Sequence, residues 1–463
     1  MKRYSLIVIG AGAAGLVIAI GAAKAGKKVL LIERGHYGGD CTNFGCIPSK
    51  SLIASAKVAH HLNQGKDFGL NFSLSSLSAQ QSFARVHRIV DEIRSHEDPE
   101  ALSKLGVETR TGTATFVDEH VLSVNDEKVF GKQIVIAAGS SPLIPPIRGL
   151  DRVPFLTNET IFDMKQVPES LTIFGGGPIG CELAQAFQRL GSSVTLIHSH
   201  EQLLNREEKI TQTLLENQFK KEGISLFLGV HVQEVQYQND QCHILLDQGQ
   251  KINSKALLVA TGRRPNVMAM KLEAAGIRYT EKGISVDSFG RTNKRHIWAV
   301  GDITGTPFFT HWAESQARTV LTSLLLPFKK KLASKETIPR VTFTDPEIAS
   351  VGLTEEEAGK RYKTATYHVP FTAVDRAITA SRTEGFVRII TKKWSSQILG
   401  CTIVGPRAGE MIGEILLAIQ AKIPLRKLAN LIHPYPTYNL AIRKAADLWL
   451  TQTILSAFKN KAI

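Results

Sequence analysis

Two segments of this chain repeat the order strand, glycine turn, helix, strand, and that repetition restricts its fold more than any other feature. The first runs Leu6-Ile7-Val8-Ile9, then Gly10-Ala11-Gly12-Ala13-Ala14-Gly15, then an Ala-rich helical stretch to about Ala25. A second apolar run, Val29-Leu30-Leu31-Ile32, ends in Glu33. Gly10, Gly12 and Gly15 permit a tight turn and a close backbone approach to a pyrophosphate. The helix N-terminus faces the phosphates, and Glu33 can accept from ribose hydroxyls. A lone GxGxxG is weak, but an acid about twenty residues downstream makes it a dinucleotide-binding signature. Lys2 and Arg3 before an apolar run could also open a signal peptide or membrane helix. The repeated glycines, Lys24, Lys27, Lys28 and the second strand exclude that reading. A cytoplasmic protein without an export signal is expected.

The second unit runs Leu171-Thr172-Ile173-Phe174, Gly175-Gly176-Gly177-Pro178-Ile179-Gly180, then Cys181-Glu182-Leu183-Ala184. Its next strand, Ser193-Val194-Thr195-Leu196-Ile197, ends in His198 rather than an acid. The missing acid removes a hydroxyl acceptor and a source of repulsion toward a 2′-phosphate. With His198 and His200 in its place and Arg206 close by, the site tilts toward NADPH, NADH being the alternative. The competing view is that these histidines are ordinary solvated loop residues.

A chain of 463 residues is too long for one core and suits about three domains. Its apolar residues come in strand-length runs, none long enough to span a membrane. Among five cysteines only two are close in sequence, which argues against a secreted disulfide framework. Cys181, Cys242 and Cys401 read as structural, and no zinc-type spacing occurs. The formal charge of +14 raises the question of an anionic partner. Lys and Arg are nevertheless interleaved with acids, except at Lys329-Lys330-Lys331 and Lys459-Asn460-Lys461. Neither run accompanies a nucleic-acid motif, so neither nucleic acid nor membrane is expected as a partner.

Soon after the first unit, Gly38-Gly39-Asp40-Cys41-Thr42-Asn43-Phe44-Gly45-Cys46-Ile47-Pro48-Ser49-Lys50 places two cysteines five residues apart, where a helical turn can bring both sulfurs within bonding reach. A loop entering a helix there would lower a thiol pKa through the helix dipole. An isolated CxxxxC is more often two buried cysteines in a helix. Its place after a dinucleotide unit favours a redox pair.

This segment resembles the redox-active disulfide of the class I pyridine nucleotide–disulfide oxidoreductases, which include dihydrolipoyl dehydrogenase, glutathione reductase and mercuric reductase. Other family landmarks follow in order: Ile136-Ala137-Ala138-Gly139-Ser140, Ala260-Thr261-Gly262-Arg263-Arg264-Pro265-Asn266, Trp298-Ala299-Val300-Gly301-Asp302 and Pro339-Arg340-Val341-Thr342-Phe343-Thr344-Asp345-Pro346. The resemblance implies an α/β fold with two Rossmann-like nucleotide-binding domains, for FAD and NAD(P), and a C-terminal α+β dimerisation domain. It divides the chain into an FAD domain (1–149), an NAD(P) domain (150–268), a return to the FAD domain (269–336) and an interface domain (337–463). Asp302 is expected to hold the flavin ribityl chain, and Lys50 to pair with Glu182 near the flavin. Ala114, Ala138, Gly139, Ser140, Gly262, Gly301 and His311 join Gly10, Gly12, Gly15, Glu33, Lys50, Gly175, Gly177, Gly180 and His198 as expected cofactor contacts. Cys46 would be the thiolate next to the flavin and Cys41 the exchange thiol. A homodimer is implied, and no resident metal.

The C-terminal segment departs from the family. Dihydrolipoyl dehydrogenase and glutathione reductase carry a His-Pro-Thr base there, with a Glu five residues on. Here the segment reads His433-Pro434-Tyr435-Pro436-Thr437-Tyr438-Asn439-Leu440, with Tyr435 at the base position and Leu440 at that of the Glu. A tyrosine is only about 0.1% ionised at pH 7, so it cannot simply replace an imidazole base. Tyr435 instead resembles the Pro-Tyr of mercuric reductase, with interface packing as the alternative. His433 matches the first, non-catalytic His of the family pattern and would need a local shift to act. The tail from Ser456 lacks the cysteine pair of mercuric reductase, and no metal-binding domain precedes Met1, so metal would need another route to the pair. The expectation is electron transfer from NAD(P)H through FAD and the Cys41–Cys46 disulfide to a metal ion such as Hg(II), a quinone or an oxidant. A divergent dihydrolipoyl dehydrogenase and a non-catalytic redox sensor are the alternatives.

Overall fold

The apolar runs flanking each glycine turn become neighbouring parallel strands. A computed structural model describes residues 1–70 and 78–456; the Lys459-Asn460-Lys461 tail lies outside the described residues. The chain divides into two compact units, each assembled from three segments. The first comprises Met1–Leu52, Ser78–Val167 and Ala256–Ala333, and the second Ile53–Leu77, Pro168–Lys255 and Ser334–Ile463.

In the first unit, Lys2–Ile9 pairs in parallel with Val29–Glu33 on one side and Glu127–Ile136 on the other. Val107–Thr111 and Ile297–Ala299 extend the parallel array. Ala114–Phe116 and Val121–Val124 add an antiparallel meander, completing seven strands. Ile7, Val8, Leu30 and Leu31 are fully buried. Their unbroken apolar runs, rather than alternating ones, follow from a parallel sheet covered on both faces. Each such side chain contributes about 1.5–3 kcal/mol by leaving water. The helix Ala13–Lys24 packs against the helix Thr310–Leu325, where Leu321 occupies the space a side chain at Gly21 would need.

In the second unit, Ser170–Phe174, Ser193–His198 and Ser225–Leu228 form a second parallel array. The helix Pro178–Arg189 follows its glycine turn, with Pro at a first-turn position where no amide hydrogen is needed. The hairpin Val232–Gln238/Gln241–Leu246 turns on Asn239 and Asp240, at φ of 51° and 59°. The C-terminal part is a five-stranded antiparallel sheet in the order Arg340–Thr342, Glu347–Gly352, Ile398–Gly405, Phe386–Lys392, Thr364–Pro370. The helices Ala408–Gln420 and Leu440–Trp449 contribute Ile412, Ile415, Ala441 and Ala445 to its core, beside Tyr367 and Phe371.

One charged cluster is buried in this unit. Arg189 donates to Glu222 at 2.7 and 2.8 Å and to Asp345 at 2.9 Å, and Arg382 donates to Asp345 and, at 3.2 Å, to His61 Nε2. Burial alone would raise the Asp345 pKa, but Arg382 and Arg189 outweigh it and hold the carboxyl below its ordinary value. His60 and His61 are pushed down, first by burial and then by the neighbouring guanidiniums.

Candidate functional site

The first glycine turn leaves no room for side chains where the fold needs close approach. Gly10 lies at φ +101°, and a Cβ there would sit 2.3 Å from Ala137 O. A Cβ on Gly15 would sit 1.8 Å from Gly10 O. Glu33, at the end of its strand, accepts from Ala11 N at 2.7 Å and Gly35 N at 2.8 Å, so the acid braces the turn as well as offering oxygens beside it.

The cysteine segment is bonded to this turn. Gly38 N donates to Ala11 O at 2.9 Å, and a Cβ on Gly39 (φ +63°) would lie 2.5 Å from Gly12 Cα. Cys41 belongs to the short helix Gly39–Asn43, and Cys46 opens the helix Cys46–Asn63. Both are partly exposed, and no disulfide joins them. Asn43 ties the segment down through bonds to Tyr37 O and Gly39 O. The sequence suggests a lowered thiol pKa, but Cys41 is pushed well up, first by its hydrogen bond to Cys46 and then by burial. A thiol that donates to its neighbour keeps its proton while the neighbour carries charge. Thr310 Oγ1, in the first turn of the helix Thr310–Leu325, lies 3.7 Å from Cys46 Sγ and also lowers Cys41 slightly against those larger effects. Sequence reasoning missed Thr310. The expected contact His311 is exposed beside it, its ring stacked on Phe309 at 5.2 Å.

A polar relay joins several other landmarks of the first unit. Arg263 Nε donates to Ser140 Oγ at 2.8 Å, and Ser140 Oγ donates to Asp302 Oδ2 at 2.6 Å. Arg263 Nη2 also reaches Ser140 O at 2.9 Å and Asp40 Oδ1 at 3.0 Å, the acid next to Cys41. Burial pushes the Asp302 carboxyl up. Gly301 (φ +76°) donates to Gln316 Oε1 at 2.7 Å. Asn266 Nδ2 donates to Ala138 O at 2.8 Å, and Asn266 N to Gly139 O at 3.1 Å. Gly262 (φ +146°) accepts from Leu143 N, and Ala114 is buried opposite Val124. Arg263, Asn266 and Gln316 were not singled out by the sequence, although Arg263 and Asn266 stand within a quoted landmark.

In the second unit, Gly175 lies at φ +116°, a Cβ on Gly180 would lie 1.8 Å from Gly175 O, and nothing lies within 4 Å of one on Gly177. His198 packs beneath this turn, its Cδ2 2.7 Å from where a Gly176 Cβ would be. Its ring stacks on His200 at 4.9 Å, and its Nε2 is buried with no hydrogen-bond partner among the described residues. Burial, then His200, lowers its pKa to about 4. His198 is therefore a neutral ring near pH 7 rather than a cation, while Arg206 is exposed. Glu182 is buried, and its Oε1 accepts from Phe343 N at 2.9 Å. Lys50 Nζ, in the first unit, donates to Ser49 Oγ at 3.3 Å. Cys181, Cys242 and Cys401 are buried thiols whose pKa burial raises, in keeping with structural roles.

Tyr435 is 73% exposed and donates to Asp375 Oδ2 at 3.0 Å. That bond raises the phenol pKa and takes it further from a base. His433 Nε2 lies 3.1 Å from Glu414 Oε1, and Asn439 Nδ2 donates to Glu414 Oε2 at 2.8 Å. Leu440 is buried in the core. Among the described residues, no group of three or more His, Cys, Asp or Glu is placed to hold a metal ion, and no helix is long and apolar enough to cross a membrane.

Comparison with known proteins accords with this layout. Residues 4–317 match the family model described as pyridine nucleotide-disulphide oxidoreductase, and residues 338–446 match its dimerisation domain. The chain is 35% identical to a mercuric reductase of Streptomyces lividans over 96% of each chain. It is 34% identical to a dihydrolipoyl dehydrogenase of Thermus scotoductus, over 98% of this chain and 99% of the relative. Among solved structures, it is similar to the Cu(II) complex of the HOCl-induced flavoprotein disulfide reductase RclA from Escherichia coli. There the TM-score is 0.88 at 28% identity, covering 97% of this chain and 100% of the other.

Proposed function

The chain belongs to the pyridine nucleotide-disulphide oxidoreductase family as an FAD-dependent enzyme, and from that premise we propose that it passes electrons from NADPH through Cys41 and Cys46 to a metal ion, with quinones and other small oxidants as further acceptors. The glycine turn of Gly10, Gly12 and Gly15, the oxygens of Glu33 and the half-buried Asp302 fit FAD. Bound there, FAD supplies the two-electron chemistry that links nicotinamide hydride to thiol reduction. We retain the division at residues 149, 268 and 336 as the domain boundaries of this reading, and a homodimer as its assembly. Leu417, Leu431 and Ile432 on the dimerisation domain are exposed and would face the second copy.

The chain's own residues govern the thiols. Cys46 stands at a helix N-terminus beside the Thr310 hydroxyl and is the thiolate of the reduced pair. Cys41 holds its proton through its bond to Cys46 and meets the acceptor. Reoxidation forms the Cys41–Cys46 bond, releases the single proton held by Cys41 and gives two electrons to the acceptor. The observation that carries the choice of acceptor is Tyr435, a phenol bound to Asp375 where a disulfide-reducing relative needs a base. A soft metal ion needs no such base, since thiolates ligate it directly. The similarity to proteins named mercuric reductase and to one solved with Cu(II) supports the same choice. A divergent dihydrolipoyl dehydrogenase is the second reading, supported by the Thermus relative and by the imidazole–carboxylate pair His433–Glu414.

NADPH preference rests on the absence of an acid at His198 and on the exposed Arg206 cation, because His198 itself is uncharged near pH 7. Anaerobic addition of NADPH should produce two accessible thiols and a long-wavelength absorption band that Cys46→Ser abolishes. Initial rates with Cu(II), Hg(II), a quinone, lipoamide and glutathione disulfide then rank the acceptors. Lipoamide turnover exceeding that of the metals, or tighter binding of NADH than NADPH, would overturn the corresponding part of this reading.

A further inference from the structure

The segment carrying Tyr435 is held at both ends by one carboxylate. Glu414 projects from the helix Ala408–Gln420, its side chain 20% exposed. One oxygen meets His433 Nε2 at 3.1 Å and the other accepts from Asn439 Nδ2 at 2.8 Å. The two partners bracket Tyr435 in sequence, and the His433 side chain is only 7% exposed. A carboxylate accepts only, so His433 carries its hydrogen on Nε2, and Nδ1 is left facing Leu431 O at 3.3 Å. Within the bracket, Thr437 Oγ1 donates to Pro434 O at 2.8 Å, closing the turn that presents the phenol. On the far side the phenol reaches Asp375, and Lys444 donates to Ala373 O close by.

We propose that Glu414 is the positioning residue for the Tyr435 segment, setting the phenol for the acceptor through His433 and Asn439. The acid that Leu440 fails to supply is thus replaced from a different element, and it orients a different imidazole. Two charge-assisted bonds to one side chain fix both chain direction and height, which a single bond would not. The His433 ring transmits this constraint to its backbone two residues before Tyr435, and Asn439 does so four residues after it. This inference rests on the reading that Tyr435 faces the acceptor.

The test is a double-mutant cycle on the FAD-loaded enzyme. NADPH-reduced protein is mixed with the disulfide probe 5,5′-dithiobis(2-nitrobenzoate), and the fast thiol reaction is followed beside the rate of flavin reduction. Glu414→Ala and Tyr435→Ala should each change the rate constant for the fast thiols by about tenfold. The double variant should match the larger single effect, since the glutamate acts through the tyrosine. Glu414→Gln, which can still bridge by accepting from Asn439 and donating to His433 Nε2 once the imidazole moves its hydrogen to Nδ1, toward Leu431 O, should stay within about threefold of wild type. Flavin reduction by NADPH should be unchanged throughout. If Glu414→Ala proves unstable, Asn439→Ala removes one of the two donors and enters the same cycle. Multiplicative effects, an unchanged thiol rate, or equal slowing of flavin reduction would overturn the positioning role. Failure of NADPH to generate any fast thiols in the wild type would instead overturn the redox reading of Cys41 and Cys46.

Discussion

Replacing Thr310 by valine keeps the shape of the side chain and removes its hydroxyl from beside the redox pair. The oxygen lies 3.7 Å from Cys46 Sγ and also pulls the Cys41 pKa down. A hydroxyl that donates to sulfur stabilises the thiolate, so its loss raises the apparent pKa of the pair. Hydrogen bonds to charged groups contribute about 1.5–3 kcal/mol, and the long contact to sulfur sets the low end. Roughly 1.4 kcal/mol corresponds to about one pKa unit. The reduced enzyme should therefore need a pH about one unit higher for half-maximal alkylation by iodoacetamide. Thr310→Ser should keep the wild-type profile, because it retains the hydroxyl at the same helix position. The pair titrates jointly, so the shift belongs to the macroscopic midpoint rather than to one sulfur. Superimposable profiles for wild type and Thr310→Val would refute the role of the hydroxyl, whatever happened to turnover.

Arg189→Met leaves Glu222 and Asp345 buried without their shared cation and should destabilise the protein by about 3–5 kcal/mol in urea unfolding; a change below about 1 kcal/mol would show that the carboxylates find other partners. Gly15→Ala and Gly180→Ala each force a methyl against a backbone oxygen 1.8 Å away. The first should cost flavin content after desalting, and the second should slow reduction by NADPH while flavin content persists; identical effects on both would contradict two separate nucleotide turns. His60, His61, His198 and His368 all have lowered pKa values, His198 to about 4. The unfolded chain then binds more protons below about pH 6.5, so stability present above that pH is lost as pH falls toward 4. After discounting for its partial exposure, His198 alone should account for about 1–2 kcal/mol of that loss. His198→Gln should flatten the decline in urea-derived stability, and an unaltered slope would remove His198 as a source.

Both glycine turns were legible because their constraint is local. Glycines, the following helix and the flanking apolar runs lie within one short stretch, and Val29–Glu33 spans the residues that the apolar run and its acid indicate. The landmark residues around Ser140, Arg263 and Asp302 were legible as types, but their relay was not, because it joins segments distant along the chain. Thr310 is invisible to local pattern for the same reason, since it meets Cys46 across 264 positions. Helix-dipole reasoning left open which thiol it favours; Cys46 opens the longer helix, while the hydrogen bond to Cys46 and burial push the Cys41 thiol up. His198 reads in the sequence as a contact on the NADPH side or a solvated loop residue, and the fold packs it as a neutral ring beneath Gly176. Glu414 is not legible locally, because it meets His433 and Asn439 from a helix 19 and 25 positions away.

The bond from Gly38 N to Ala11 O and the backbone contact of Gly39 with Gly12 have an evolutionary reading. The cysteine segment cannot acquire a side chain at Gly39 without displacing the glycine turn at Gly12. The two are therefore structurally coupled, and a segment replacing either must keep the bare backbone at this contact. A designer moving the thiol pair to another Rossmann-type host would have to carry residues from both sides of that contact. Under the proposed function, a change of acceptor is thereby directed to the C-terminal segment carrying Tyr435, which takes no part in this contact.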